Sequence, residues 1–268
     1  MSEYIEKFIH YFTDQGVSRG VAITYLVVSA LIVVMAVVAL VMRIIVIINY
    51  QEGNKKETKS GRNGYDIARE MLDKAGLKDV KIEKAGWFRA FFIGNCYSIT
   101  KNTIFLRKGI INSNSVTSVA LALQKVGVAK LCRNGSKTAK TRNIMQIVSL
   151  VGPILFVPVV LLGFVLDMVL FKVFGVFSIV GIAVGLFLVL AGFIERMLTI
   201  PVEKKANEMA LAMIKETAVL DDEEIEVVKK VFKAYIIAYI CEFIVAVLRI
   251  VQIVLEIVMN VQINSNKG

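Results

Sequence analysis

Three stretches of this chain, Val21 to Met42, Ile144 to Leu166 and Val173 to Ile194, contain no charged side chain. A helix needs about 20 such residues to cross the hydrocarbon core of a bilayer, so each predicts a membrane span. With 56% of 268 residues hydrophobic and a mean hydropathy of +0.67, the chain is too apolar for an ordinary soluble domain. The first span follows a segment containing Glu3, Glu6 and Asp14 and is too long for the apolar region of a signal peptide, so it reads as a retained anchor. Ala234 to Val258 is also apolar but carries Glu242, Arg249 and Glu256. It is a fourth span with polar points or a helix partly covered by protein. The short loop between the second and third spans holds Asp167 and Lys172, and Pro153 and Pro158 mark kinks in the hairpin's first arm.

The polar remainder is basic, with 32 Lys and Arg against 22 Asp and Glu. This balance suits an anionic membrane surface, and no nucleic-acid partner is expected. Lys130, Arg133, Lys137, Lys140 and Arg142 crowd the start of the second span, with Arg43 after the first and Lys229, Lys230 and Lys233 before the last. The positive-inside bias places these on the cytoplasmic side, which predicts a multi-pass membrane protein with an external N-terminus. The basic run could also bind acidic lipid head groups, although retaining the loop explains it without a ligand. Cys96, Cys132 and Cys241 lie far apart and suggest neither a disulfide framework nor a cysteine zinc site. His10 is the single histidine, which excludes a two-histidine metal site and leaves no histidine base in the body of the chain. It sits in an amphipathic N-terminal segment and reads as interfacial.

The organisation expected is an N-terminal amphipathic segment (1–20), a first transmembrane helix (21–50), a cytoplasmic α+β region (51–143), a transmembrane hairpin (144–200), cytoplasmic helices (201–230) and a last membrane helix with its tail (231–268). Within the α+β region, a linker from Glu52 to Asn63 leads to a helix over Tyr65 to Lys74 that Gly76 ends. Alternation at Val80 and Ile82 predicts a strand, and Tyr97 to Leu106 a hairpin. Ser113 or Ser115 caps a helix with an apolar stripe at Val116, Val119, Ala120, Leu123 and Val126. Pro201 is expected at a helix N-terminus, and Asp221 with Glu224 forms a capping box for the final helix.

The string from Gly64 to Glu83 resembles the start of the soluble region in bacterial membrane-bound neutral zinc metallopeptidases of the YugP type. The hairpin, Ser115 to Leu123, and Leu198 to Glu203 match the same family in order, and the resemblance covers residues 20 to 258. It implies a mainly α-helical integral membrane protein, with about four transmembrane helices and a small α+β, zincin-like cytoplasmic region. Members resemble zincins, with an H-E-x-x-H helix and a downstream glutamate. In such a helix two histidines at i and i+4 hold zinc, and the glutamate at i+1 activates water. Here those five positions map to Gln124, Lys125, Val126, Gly127 and Val128, so both ligands and the base are replaced. Only Glu203, the downstream glutamate, remains. Asn95 to Ile99 stands where relatives carry an acidic D-H-Y-D-P string, and Lys205 stands where they carry an acid.

These departures predict a pseudopeptidase without a zinc cofactor, whose partners are the bilayer and a protein or peptide, an active relative among the candidates. Glu203 either pairs with Lys125 or Gln124 across the old metal site, with Lys205 nearby, or turns to solvent beside Lys204 and Lys205. Cys96 lacks a histidine partner and reads as structural rather than nucleophilic. Two rival functions stand beside the noncatalytic one. The first is an active membrane zinc metalloprotease with an unrecognised site. The second is a small transporter or channel component built on Glu242, Arg249 and Glu256, which recur every seven residues and share one helix stripe.

Overall fold

The structure, a computed structural model, describes residues 2–170 and 175–266. It is mainly helical, and the chain divides into two units, residues 45–239 and residues 1–44 with 240–268. Among the described residues three helices are long and apolar enough to cross a membrane: α2 (Arg19–Lys55), α8 (Val176–Thr217) and α9 (Asp222–Ser265). The expected fourth span thus falls within α9, one of these three. The expected second span lies in α7 (Lys137–Leu170), which stays helical through Pro153 and Pro158. Its qualifying apolar part among the described residues is Pro158–Leu170. Lys172 lies outside the described residues, whereas Asp167 is buried and accepts from the backbone N of Gly175, Phe177 and Ser178 at 3.0, 3.2 and 2.6 Å. That carboxylate satisfies the free N–H groups that open α8.

In the larger unit, a three-stranded sheet is ordered β1-β3-β2, with β1 (Lys81–Lys84) parallel and β2 (Cys96–Ser98) antiparallel to β3 (Thr103–Leu106). The expected strand and hairpin are therefore both present. Helix α3 (Gly64–Lys74) begins where the Asn63 side chain accepts from Asp66 N at 2.9 Å, and it buries Ile67, Ala68, Met71 and Leu72. Past its end Gly76 takes φ +71°, a conformation only glycine adopts without strain. Two short helices were not anticipated, α4 (Trp87–Phe92) and α5 (Lys108–Ile111).

Helix α6 (Val116–Arg133) starts at Ser115, whose Oγ accepts from Ser118 N at 3.2 Å. Every residue from Val116 to Ala129 is buried, so α6 is a central helix covered on all sides rather than one with a single apolar stripe. Its neighbours are α3, α5, the sheet, α7 and α8. The sequence expectation at Pro201 is corrected: α8 runs unbroken through this proline, and residue 201 is no boundary. An interior proline removes one backbone hydrogen bond and crowds the preceding turn. Burial of Val202, Ala206, Ala210, Met213 and Ile214 along one face offsets that cost. The helix ends at Ala218 in the left-handed region. The capping box forms as expected, with Asp221 N to Glu224 Oε2 and Glu224 N to Asp221 Oδ1 both at 2.8 Å.

In the smaller unit, α1 (Ser2–Asp14) and the flanking parts of α2 and α9 pack around Val17, Ala22 and Met259. His10 is exposed on α1. The polar stripe of α9 meets partners: Glu242 accepts from Arg43 at 2.8 Å and Glu256 from the Tyr25 hydroxyl at 3.1 Å. Arg249 donates to Gln252, whose amide reaches Ser29.

Candidate functional site

Glu195, Thr199, Glu203 and Asn207 recur every four residues on α8. One helical turn is 3.6 residues, so a spacing of four lines them along one ridge. The ridge faces α6 and the start of α7. Gly127 permits this approach, because a Cβ there would stand 2.9 Å from the Ala206 carbonyl oxygen and 3.2 Å from its Cα.

Glu203 is fully buried. The Lys125 ammonium stands 3.2 Å from each of its carboxylate oxygens, and Arg142 Nη2 donates to Oε1 at 2.9 Å. Arg142 also reaches Thr199 Oγ1 at 3.3 Å and Glu195 at 3.7 Å. Lys125 and Arg142 are themselves buried. Two carboxylates and two cations thus form a neutral cluster, the arrangement that buried charge requires. Beside it Gln124 Nε2 donates to Asn207 Oδ1 at 2.5 Å, and Val128 contributes only apolar surface, 1% exposed.

The sequence expectations divide on this geometry. Lys125 meets Glu203, so the carboxylate does not turn to solvent. Gln124 pairs with Asn207 instead. Lys205 is exposed and takes no place in the cluster, because two residues along a helix is about 200°, the opposite face. Arg142, read from the sequence as a basic flank of a span, is drawn into the core. The signal that could have found the site was the four-residue ridge on α8, hidden by placing a helix start at Pro201.

One turn beyond Val128, Cys132 lines a cleft of about 490 Å³ with Tyr97, Ile99, Asn102, Arg133 and Lys140. Burial pushes the Cys132 thiol up to about 11 and raises the Tyr97 phenol as well. The Tyr97 hydroxyl donates to Asn102 Oδ1 at 2.8 Å, and Arg133 pairs with Asp79 at 3.0 Å. Cys96 is buried, with Arg89 Nη1 3.6 Å from its sulfur.

Comparison with known proteins gives this arrangement its context. Residues 28–258 match the family described as "Putative neutral zinc metallopeptidase". The chain is 26% identical over 190 residues to "Putative membrane protease YugP" of Bacillus subtilis (strain 168), an alignment covering 69% of this chain and 76% of the relative. No solved structure matches. The match over most of its length makes this chain a member of the neutral zinc metallopeptidase family.

Proposed function

We propose that this protein is a catalytically inactive membrane pseudopeptidase, which binds, scaffolds or regulates another protein rather than cleaving it. The observation that carries the reading is the ion cluster on Glu203. In the family's zincin-like pattern this glutamate would complete a metal site together with two histidines from the helix that is α6 here. Its oxygens instead hold an ammonium and a guanidinium, and the positions that would carry the two histidines are Gln124 and Val128. Zinc does not fit this donor set. Valine has no donor atom, and a lysine ammonium beside the carboxylate already compensates its charge, so metal would enter only by displacing a buried cation. Where the pattern would put the glutamate that activates water stands Lys125, whose side chain is turned to the Glu203 carboxylate.

Retention of the scaffold supports a binding role, with the cleft beside Cys132 or the membrane helices as the surface for a protein or peptide partner. The basic residues flanking the spans favour a cytoplasmic position for the α+β region, on the inner face of the bacterial cytoplasmic membrane.

The test is metal content of the purified full-length protein in detergent, beside a triple variant Gln124→His, Lys125→Glu and Val128→His. The native protein is expected to be metal-free and without peptidase activity, and the variant to take up zinc. Stoichiometric zinc in the native protein would overturn the reading and favour an active metalloprotease with an unrecognised site.

A further inference from the structure

Helix α4 carries four aromatic side chains in six residues, Trp87, Phe88, Phe91 and Phe92, which are 78%, 55%, 70% and 42% exposed. They sit at i, i+1, i+4 and i+5, so they share one face. They also touch one another, with Trp87 stacked on Phe91 at 6.1 Å and Phe88 and Phe92 at 4.7 Å between ring centroids. The opposite face holds the helix to the sheet. Arg89 lies 4.0 Å over the Phe105 ring, and Ala90 packs with Ala85, Cys96 and Phe105. An aromatic face of this size in water is unfavourable, and its presence points to a covering medium.

The geometry points to the headgroup region of an anionic bilayer as what covers it: we propose that α4 is an interfacial anchor that lays the α+β region onto the membrane its own chain crosses. Three observations select lipid over a protein partner. First, the hairpin next to α4 is tied to α7 at the start of that helix's apolar run. Asn143 donates to the Tyr97 carbonyl at 2.6 Å and accepts from Ile99 N at 3.1 Å, and Ile144 and Ile147 follow at once, 54% and 49% exposed. Second, α8 leaves its apolar run at the same level, since Glu195, the residue after Ile194, pairs with Arg142 just before Asn143. Both helices therefore place the membrane boundary beside β2 and α4. Third, the segment from Lys81 to Lys108 carries Lys81, Lys84, Arg89, Lys101, Arg107 and Lys108 against Glu83 alone. A basic surface around Trp and Phe is the chemistry of a helix lying in an anionic interface.

Trp87 is the only tryptophan of the chain, so indole fluorescence reports α4 and nothing else. The full-length protein is reconstituted into vesicles of phosphatidylglycerol and phosphatidylcholine, with and without lipids brominated near the headgroup end of the acyl chain. The expected result is blue-shifted emission, loss of acrylamide quenching and strong quenching by the brominated lipid, unchanged when protein is diluted in lipid. Wholly zwitterionic vesicles should give weaker bromine quenching. Replacing Phe88→Ser and Phe91→Ser, which leaves the sheet-facing side intact, should restore acrylamide access to Trp87. Emission typical of free indole with full acrylamide access would overturn the proposal. Shielding from both acrylamide and brominated lipid would overturn it too, since a protein surface would then cover α4.

Discussion

The Lys125 ammonium lies 3.2 Å from both oxygens of the Glu203 carboxylate, although 78 residues separate the two in sequence. Both residues are buried, and each is the reason the other can be. Arg142 adds a second donor to the same carboxylate, so the contact has a hierarchy in which Glu203 is the hub.

That hierarchy orders the effects of substitution. Glu203→Met leaves Arg142 with Glu195 but strands the buried Lys125 ammonium, and should cost about 3–5 kcal/mol, the range for breaking a buried pair. Lys125→Met leaves Glu203 with Arg142 and should cost about 1–3 kcal/mol, as for a buried acceptor that loses one partner. The double variant leaves the neutral pair of Arg142 and Glu195, so it should be more stable than Glu203→Met alone. Thermal unfolding of the four proteins in detergent reads this coupling directly.

Gly127→Ala sets two effects against each other. Alanine favours a helix interior by about 1 kcal/mol. The added methyl, however, meets the Ala206 carbonyl oxygen at 2.9 Å, a backbone atom that cannot rotate away, and overpacking costs about 1–3 kcal/mol. Net destabilisation is expected in the same melting assay, and Gly127→Val should be worse.

Cys132 is held as the thiol, its titration pushed up to about 11 by burial. Because the folded value lies above the unfolded one, the stability it contributes is present below the unfolded value and is lost as pH rises through about 11. At neutral pH native Cys132 should resist maleimide while the denatured chain reacts, a difference that peptide mass mapping detects.

Asp221 caps the final helix and pairs with Lys59. That contact, followed by the hydrogen bond from the Glu224 backbone N, holds its carboxyl below the usual carboxylate range. A depressed value means stability that is present above the unfolded value and lost as pH falls through the folded one. Asp221→Asn retains a cap but not the charge. The stability gap between wild type and variant should therefore be open at neutral pH and close in acid, as melting curves across pH would show.

Arg43 and Glu242, paired at 2.8 Å, join the polar stripe of α9 to α2. Either single neutralisation should destabilise the protein in bilayers, while Arg43→Met with Glu242→Met recovers part of the loss. A coupling of about 0.6 kcal/mol is the usual size for polar contacts between membrane helices.

The amino-acid order by itself determined what depends on near neighbours. The uncharged runs that fall in α2 and α8, the Asp221 cap, the turn at Gly76, and the hairpin from Tyr97 to Leu106 each follow from local hydropathy, side-chain caps or backbone freedom, and all are present. Tertiary structure decided the rest. Pro201 reads locally as a helix start, but burial of Val202, Ala206 and Ala210 carries α8 through it and so aligns Glu195, Thr199, Glu203 and Asn207. Arg142 reads as one basic residue among several flanking a span. Its destination beside Glu203, 61 residues away, is set by how α7 and α8 pack. Local signals are short-ranged because they arise from one turn of helix or one pair of strands, whereas the pairing of buried charges is chosen by which helices meet.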